Sequence, residues 1–423
     1  MKIAIWHNLP SGGGKRALYH HVRGLLARGH AVEAWCPPTA DREYLPIAAL
    51  CPEHVVPLDF LPDGETRFPW AYHKTVSRLR AMDAHCRACA PPIAAGGFDV
   101  LLAASCQYFR AVPIGKYAGM PKVLYVQEPC RPLYESLPDL PWLSFRRRMT
   151  RESRLEYAGN WIRNALEVEG LRVQVRAEVE SARAMDLVLV NSMFSRESVW
   201  RAYGLDSRVC YLGVETELFR PLGLPRKHQV MGLGAFVPEK KIGFVIQSLA
   251  RMPPPRPALV WVGNVAIPSY LERMRAIARE TEVEFAPYTG IADEEVVRLL
   301  NESVCLVYAP RLEPFGFAPL EAFACGTPVV ALAEGGVRET VEDGRSGLLV
   351  GDADPQAFAD ALRRLVENPA LATDMGRAAR ALAMEKWTWA AAVSRLETAL
   401  ASAVLRNARP VPILEASVIR GQS

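Results

Sequence analysis

The chain has 423 residues, half of them apolar and 23% charged, which suits a globular protein of two or three domains and excludes an extended disordered one. Its 50 basic and 46 acidic side chains leave a net charge of only +4, which gives no sign of a nucleic-acid partner. No uncharged apolar run approaches the roughly 18 residues of a membrane span, and residues 1–7 read as a strand rather than an export leader.

In chain order, residues 2–6 are strand-like and 8–14 form a loop rich in glycine. Residues 15–28 carry Leu18, Val22, Leu25 and Leu26 at helical spacing, Gly29 stops that helix, and 31–35 resume a strand. Further strands are expected at 99–103, 123–126 and 187–190, with a long helix ending at Arg183 before the last of them. Strands alternating with helices imply a parallel α/β sheet. A proline- and glycine-containing linker at 220–225 interrupts the pattern, which then restarts. Strands are expected at 230–233, 258–262, 284–286, 304–309 and 328–332. Helices are expected at 241–250, 270–280, 294–301 and 320–324. The expected organisation is a first domain over 1–221, a second over 222–389, and a helix over 390–409 that crosses back to the first. A loose tail over 410–423 follows. Two doubly wound halves place a ligand in the cleft between the carboxyl ends of their sheets.

The nine cysteines show no framework spacing, and Cys305 and Cys325 sit in apolar runs. Buried thiols in a reducing compartment, and hence a cytoplasmic location, are the expectation. Cys86 and Cys89 follow His85 at CxxC spacing but lack the second pair that a zinc site needs.

Most of the chemistry is concentrated in Glu313-Pro314-Phe315-Gly316-Phe317-Ala318-Pro319-Leu320-Glu321. A strand ends before it and a helix begins near Pro319, so amides from Phe315 to Leu320 face the cleft, where the positive helix end favours a phosphate. A carboxylate on each side can accept bonds from hydroxyls, which suits a diphosphate set between two polyols. The loop Ser11-Gly12-Gly13-Gly14-Lys15-Arg16 lets the backbone approach a ligand at the end of the first strand. Gly234-Ala235-Phe236-Val237-Pro238-Glu239-Lys240-Lys241 brings cations to the matching place in the second half. Gln127, Glu128 and Arg131 follow another strand into the cleft, and Gly335 and Gly336 open a further helix.

These words together resemble the family 4 glycosyltransferases of the GT-B fold, with their E-x7-E motif, from residue 1 to about 400. The resemblance implies a metal-independent, cofactor-free hexosyltransferase that retains anomeric configuration. Its substrates are a nucleotide-diphosphate sugar, leaning to mannose or glucose, and a saccharide or lipid-linked acceptor. It implies that Glu321 holds the ribose hydroxyls, and that Glu313 contacts the transferred sugar and supports charge at its anomeric carbon. Gly13, Gly14, Lys240, Lys241, Phe315, Gly316, Phe317 and Leu320 complete the donor site. Lys15, Arg16, Glu128 and Arg131 are the acceptor candidates, and Glu313, Lys240 and Gln127 the catalytic ones. Two positions depart from the family. Ala235 stands where an arginine usually meets the diphosphate, and Gln127 where histidine is common; glutamine can bind a sugar hydroxyl but cannot take a proton. Lys241, Lys15 or Arg16 could supply the missing cation.

Two other readings keep this fold: a nucleotide-sugar epimerase, which would turn over without an acceptor, and a sugar-nucleotide-binding protein with impaired catalysis. A dinucleotide oxidoreductase is rejected, because Val237 takes the third glycine position after Gly232-Leu233-Gly234. Nine basic residues lie between Arg146 and Arg183, preceded by Trp142, Leu143 and Phe145. Over 142–183 the two readings are a peripheral contact with an anionic membrane, at its inner face, and a solvated helix face.

Overall fold

The computed structural model describes residues 1–60, 70–134 and 153–408. The apolar and basic run at 142–149 and the tail after 410 lie outside these residues, as do Arg147 and Arg151.

Two parallel sheets organise the molecule. The first contains β1 (Lys2–Asn8), β2 (Ala31–Cys36), β3 (Glu53–Val55), β4 (Val100–Cys106), β5 (Lys122–Tyr125), β6 (Leu187–Val190) and β7 (Arg208–Val209), in the order β3-β2-β1-β4-β5-β6-β7. The second contains β8 (Gln229–Leu233), β9 (Ala258–Gly263), β10 (Phe285–Thr289), β11 (Leu306–Tyr308), β12 (Val329–Leu332) and β13 (Gly347–Val350), in the order β10-β9-β8-β11-β12-β13. Ile3, Ala4, Ile5 and Trp6 have no exposed surface, as expected for a parallel strand covered by helices on both faces. Strand order reverses between β1 and β4 in one sheet and between β8 and β11 in the other. Loops leaving these strands splay apart and open a crevice at each reversal. The glycine loop leaves β1, the Gly234 loop leaves β8 and the Glu313 loop leaves β11, so all three words fall at switch points.

Most expected elements are present within a residue or two. The strand expected at 284–286 runs later, over Phe285–Thr289, because it pairs in register with β9 from Phe285↔Leu259 to Thr289↔Gly263. The helix expected near Pro319 begins at Phe317, where Gly316 turns the chain at φ 84°. Among the elements without a forecast are β3, β7, β13 and the helices Trp70–Ala95, Met193–Tyr203, Pro355–Val366 and Pro369–Lys386. The first of these helices explains the CxxC pair. Met82, Cys86, Cys89 and Ile93 form one fully covered face, so the spacing is helical packing, and all nine cysteines are free.

One apolar cluster runs from the first domain through Leu212, Val214 and Phe219 to Leu306 and Leu320 of the second. The last described helix, Trp389–Ala408, returns to the helix Gly13–Ala27. Arg28 and His30 both bond Glu397 there, at 2.6 and 2.7 Å. A Cβ on Gly24 would lie 2.3 Å from Val393, so the glycine is what lets the two helices approach.

Candidate active site

Each of the two E-x7-E carboxylates meets a cation, Glu313 within its own domain and Glu321 across the cleft. Glu313 lies on the loop after β11, and its Oε2 accepts from Lys240 Nζ at 3.0 Å. Lys240 ends the short turn Pro238–Lys240 after β8, and Lys241 follows in the left-handed region at φ 51°. Gly234 is needed below them: its φ is 148°, and a Cβ would touch the Lys240 chain at 3.2 Å. Lys241 stands by Arg311 and Glu334; burial and Arg311 hold its ammonium below the usual lysine range.

Glu321 is on the helix Phe317–Ala324 with only 4% of its side chain exposed, and it is paired with Arg16 Nη1 from the first domain. Arg16 also lies 5.4 Å over the Phe317 ring and donates from Nε to the Tyr44 hydroxyl at 3.4 Å. Gly13 abuts the same ring, where a Cβ would come within 3.2 Å, and Gly14 sits against Leu9. The glycine loop and the start of the Glu321 helix are therefore in direct contact. Helix geometry leaves the amides of Gly316, Phe317 and Ala318 without intrahelical acceptors, which is the requirement for an anion cradle. The side chains of Phe315 and Leu320 are buried, so these residues can serve a ligand only through their backbone. Gly316 admits no side chain, because a Cβ would lie 2.7 Å from the Tyr308 hydroxyl.

On the first domain's side, Arg131 donates to Glu128 at 2.5 Å and reaches across to the Leu312 carbonyl, one residue before Glu313. Arg110 approaches Glu128 from another side at 3.9 Å. Burial still holds the Glu128 carboxyl above its ordinary range, although both arginines oppose the shift. Gln127 accepts from Asn191 Nδ2 at 2.9 Å, and Asn191 is fixed in turn by Ser195, whose hydroxyl donates to it at 2.8 Å. This leaves Gln127 Nε2 as the donor offered to the small cavity it shares with Gly14. Asn191 thus sets the polarity of Gln127.

Lys15 is placed differently from its neighbours. Its side chain has no exposed surface, and its Nζ finds no partner among the described residues. Burial lowers its ammonium, against the pull of Glu53, Asp41 and Cys36. In this structure it faces the first domain's interior rather than the cleft where an acceptor would lie. Beside it, His7, Cys36 and Glu53 bring ligand atoms within 4.8 Å of one another, the one such set among the described residues. Burial raises the Cys36 thiol to about 12, and the Lys15 ammonium already faces these groups.

Glu339 also gained a role that the sequence did not show. It accepts from the Met193 and Phe194 amides at 2.8 and 2.9 Å and from the Tyr211 hydroxyl at 2.8 Å. Its short helix, Val337–Thr340, is pinned to the Glu313 loop by Gly335 and Gly336, where Cβ atoms would come within 2.4 Å of the Glu313 carbonyl and 2.1 Å of the Pro314 carbonyl.

Two Rossmann-like sheets, with the glycine, Gly234 and E-x7-E words at their switch points, define a GT-B fold. Solved structures share this fold over nearly the whole chain. Anabaena HepE in complex with UDP matches with a TM-score of 0.68 at 18% identity, over 95% of this chain and 100% of that one. Sucrose-phosphate synthase from Thermosynechococcus elongatus matches with 0.69 at 18%, over 97% and 100%. Residues 214–382 match the family model described as glycosyl transferases group 1, so the resemblance to the family 4 glycosyltransferases holds where the E-x7-E word lies. D-inositol 3-phosphate glycosyltransferase of Nocardioides is 33% identical over 227 residues, 47% of this chain and 49% of that one. The GDP-mannose-dependent alpha-(1-6)-phosphatidylinositol monomannoside mannosyltransferase of Mycolicibacterium smegmatis is 32% identical over 237 residues, 50% and 61%. The chain spans about half the length of the curated relatives it matches.

Proposed function

We propose that the protein transfers a hexose, mannose or glucose, from a nucleotide-diphosphate sugar to a saccharide or lipid-linked saccharide, with retention and without a metal. The observation that carries this reading is the pair of carboxylates, Glu313 and Glu321, flanking helix-start amides, one held against Lys240 of its own domain and the other against Arg16 of the first. Such a site accepts hydroxyls at both ends and an anion in the middle.

In this reading the diphosphate lies on the amides of Gly316, Phe317 and Ala318. Glu321 accepts from the ribose, and Lys240 moves from Glu313 to the leaving phosphate. Glu313 then accepts from the sugar and supports positive charge at its anomeric carbon. Gln127 donates from Nε2 to a sugar hydroxyl. The bond from the anomeric carbon to the phosphate oxygen breaks while the acceptor oxygen bonds on the same face. The departing phosphate oxygen takes the acceptor proton, so no protein base is required. Glu128 and Arg131 line the acceptor's side. The matched relatives that act on inositol phosphate and a phosphatidylinositol mannoside support a polar or lipid-linked acceptor. We place the reaction in the cytoplasm, at the inner membrane face where the acceptor is lipid-linked. No described helix is long and apolar enough to cross a membrane.

The test is nucleoside diphosphate release from UDP-, GDP- and ADP-hexoses with saccharide acceptors, with and without chelator. Turnover should survive the chelator, the product should keep the donor's anomeric configuration, and Glu313→Gln should cut kcat by about 100- to 1,000-fold. Inversion, or activity restored only by added metal, would refute the mechanism. Turnover with no acceptor would instead favour an epimerase.

A further inference from the structure

Three cations that reach the crevice are already engaged: Lys240 with Glu313, Arg131 with Glu128, and Arg16 with Glu321. An entering diphosphate brings several negative charges, which these three cations can meet only by being shared or released. Building on the donor site proposed above, we infer that Arg16 is a diphosphate ligand that waits on Glu321 in the empty protein, and that ribose hydroxyls free it to turn to the phosphates.

Glu321 is nearly covered, and a buried carboxylate without a counter-charge is expensive. Among the described residues that charge comes from the opposite domain, through Arg16. The cavity left beside it, lined by Tyr44, Phe317 and Trp389, is about 70 Å³, far below the roughly 300–1,000 Å³ of a small-molecule site. A nucleotide therefore enters as Arg16 moves.

The geometry also gives the guanidinium somewhere to go. Arg16 stands on the first turn after the glycine loop, and Gly13 touches the ring of Phe317, whose amide belongs to the cradle. Arg16 and the cradle thus flank one aromatic ring. Its Nε and Nη1 are engaged, but among the described residues Nη2 has no acceptor. A planar guanidinium can hold a carboxylate with one edge and a phosphate with the other, which an ammonium cannot do. Lys15, one residue earlier, is turned inward and cannot substitute. The ion pair is thus a resting position with a second, ligand-dependent one within a side chain's reach.

Titration calorimetry separates this role from a plain clasp between domains. UDP, GDP and ADP, their monophosphates and the free nucleosides are titrated into the wild type, Arg16→Ala, Arg16→Gln and Arg16→Lys. For the best-binding diphosphate, Ala and Gln should weaken affinity by about 10- to 100-fold, the range of a charge-assisted contact. Nucleoside affinity should hold or rise, because Glu321 is freed, and Lys should recover part of the loss. Equal losses for nucleoside and diphosphate, or none for diphosphate, overturn the inference. Thermal unfolding shows which variants fold, and Gln carries the test where Ala does not. A wild type that binds no nucleotide overturns the functional reading as well. Wild-type binding with an indifferent Arg16 overturns this inference alone.

Discussion

Gly336 shows how narrowly the crevice is specified at the residue scale. Its amide donates to the Glu313 carbonyl at 2.8 Å, and a Cβ would sit 2.1 Å from the Pro314 carbonyl and 3.1 Å from the Phe315 Cα. Those are backbone atoms, so relief has to move the loop that aims Glu313. Gly336→Ala is expected to cost about 1–3 kcal/mol in denaturant unfolding and to lower turnover more than binding of the bare nucleotide. Gly119, with nothing within 4 Å of its would-be Cβ, supplies a control that should be near neutral. Unchanged turnover in Gly336→Ala would mean that the loop tolerates displacement. Asn191 works at the same scale. It gives Gln127 a fixed amide orientation, a task that no residue-type rule would have assigned to an asparagine after a strand.

At the scale of elements, the helices Gly13–Ala27 and Trp389–Ala408 bury two histidines in their neutral form. His20 stacks on Trp389 at 4.6 Å, and His21 meets Trp389 and Tyr125 edge-on at 5.5 and 5.6 Å. Burial, chiefly, depresses both imidazoles to about 3. Between that value and the unfolded histidine's 6.5, the unfolded chain takes up protons that the folded one refuses. Stability therefore falls as pH falls through this window, by about 1 kcal/mol per histidine from pH 7 to 5.5. His21→Phe keeps an aromatic edge there and should flatten the slope of unfolding free energy against pH. A slope identical to wild type would remove the histidine from the account.

The same scale shows what the sequence could and could not disclose. Strands such as β1 and β8 declare themselves as short apolar runs, and the three words at the switch points follow from them. Trp70–Ala95 stayed hidden because its buried stripe is built from Met82, Cys86, Cys89 and Ile93 and carries Pro91 and Pro92, so it reads as a cysteine motif before it reads as a helix. The E-x7-E carboxylates were visible as site residues, but their partners were not. Arg16 lies some 300 positions from Glu321, and only the folded chain joins them. Lys15 illustrates the opposite limit: adjacent to Arg16 and identical in charge, it faces inward, a difference of side-chain direction that spacing does not encode.

For the whole molecule, the crevice is held by contacts that any ligand must renegotiate. Arg16 with Glu321, Arg131 with the Leu312 carbonyl and Glu339 with the Met193 and Phe194 amides all join one domain to the other. Glu339 is the one of the three to which the proposed chemistry gives no part, which makes it a probe of closure. Glu339→Ala removes a carboxylate from a helix start, an interaction worth about 1–2 kcal/mol. The ligand-free variant should scatter X-rays with a larger radius of gyration than wild type, and nucleotide should restore compactness. Equal radii without ligand would show that this carboxylate does not hold the halves together.

The return of Trp389–Ala408 to the Gly13–Ala27 helix has a bearing on biosynthesis. During translation, the first domain emerges with a bare apolar flank around Gly24, and the strip that covers it, from Trp389 on, follows more than 300 residues later. At ordinary elongation rates of about 5–20 residues per second, that flank waits for tens of seconds. The first domain is thus a client for chaperones on the ribosome until the helix Trp389–Ala408 is synthesised, and truncation just before Trp389 should leave it sticky while sparing the second domain.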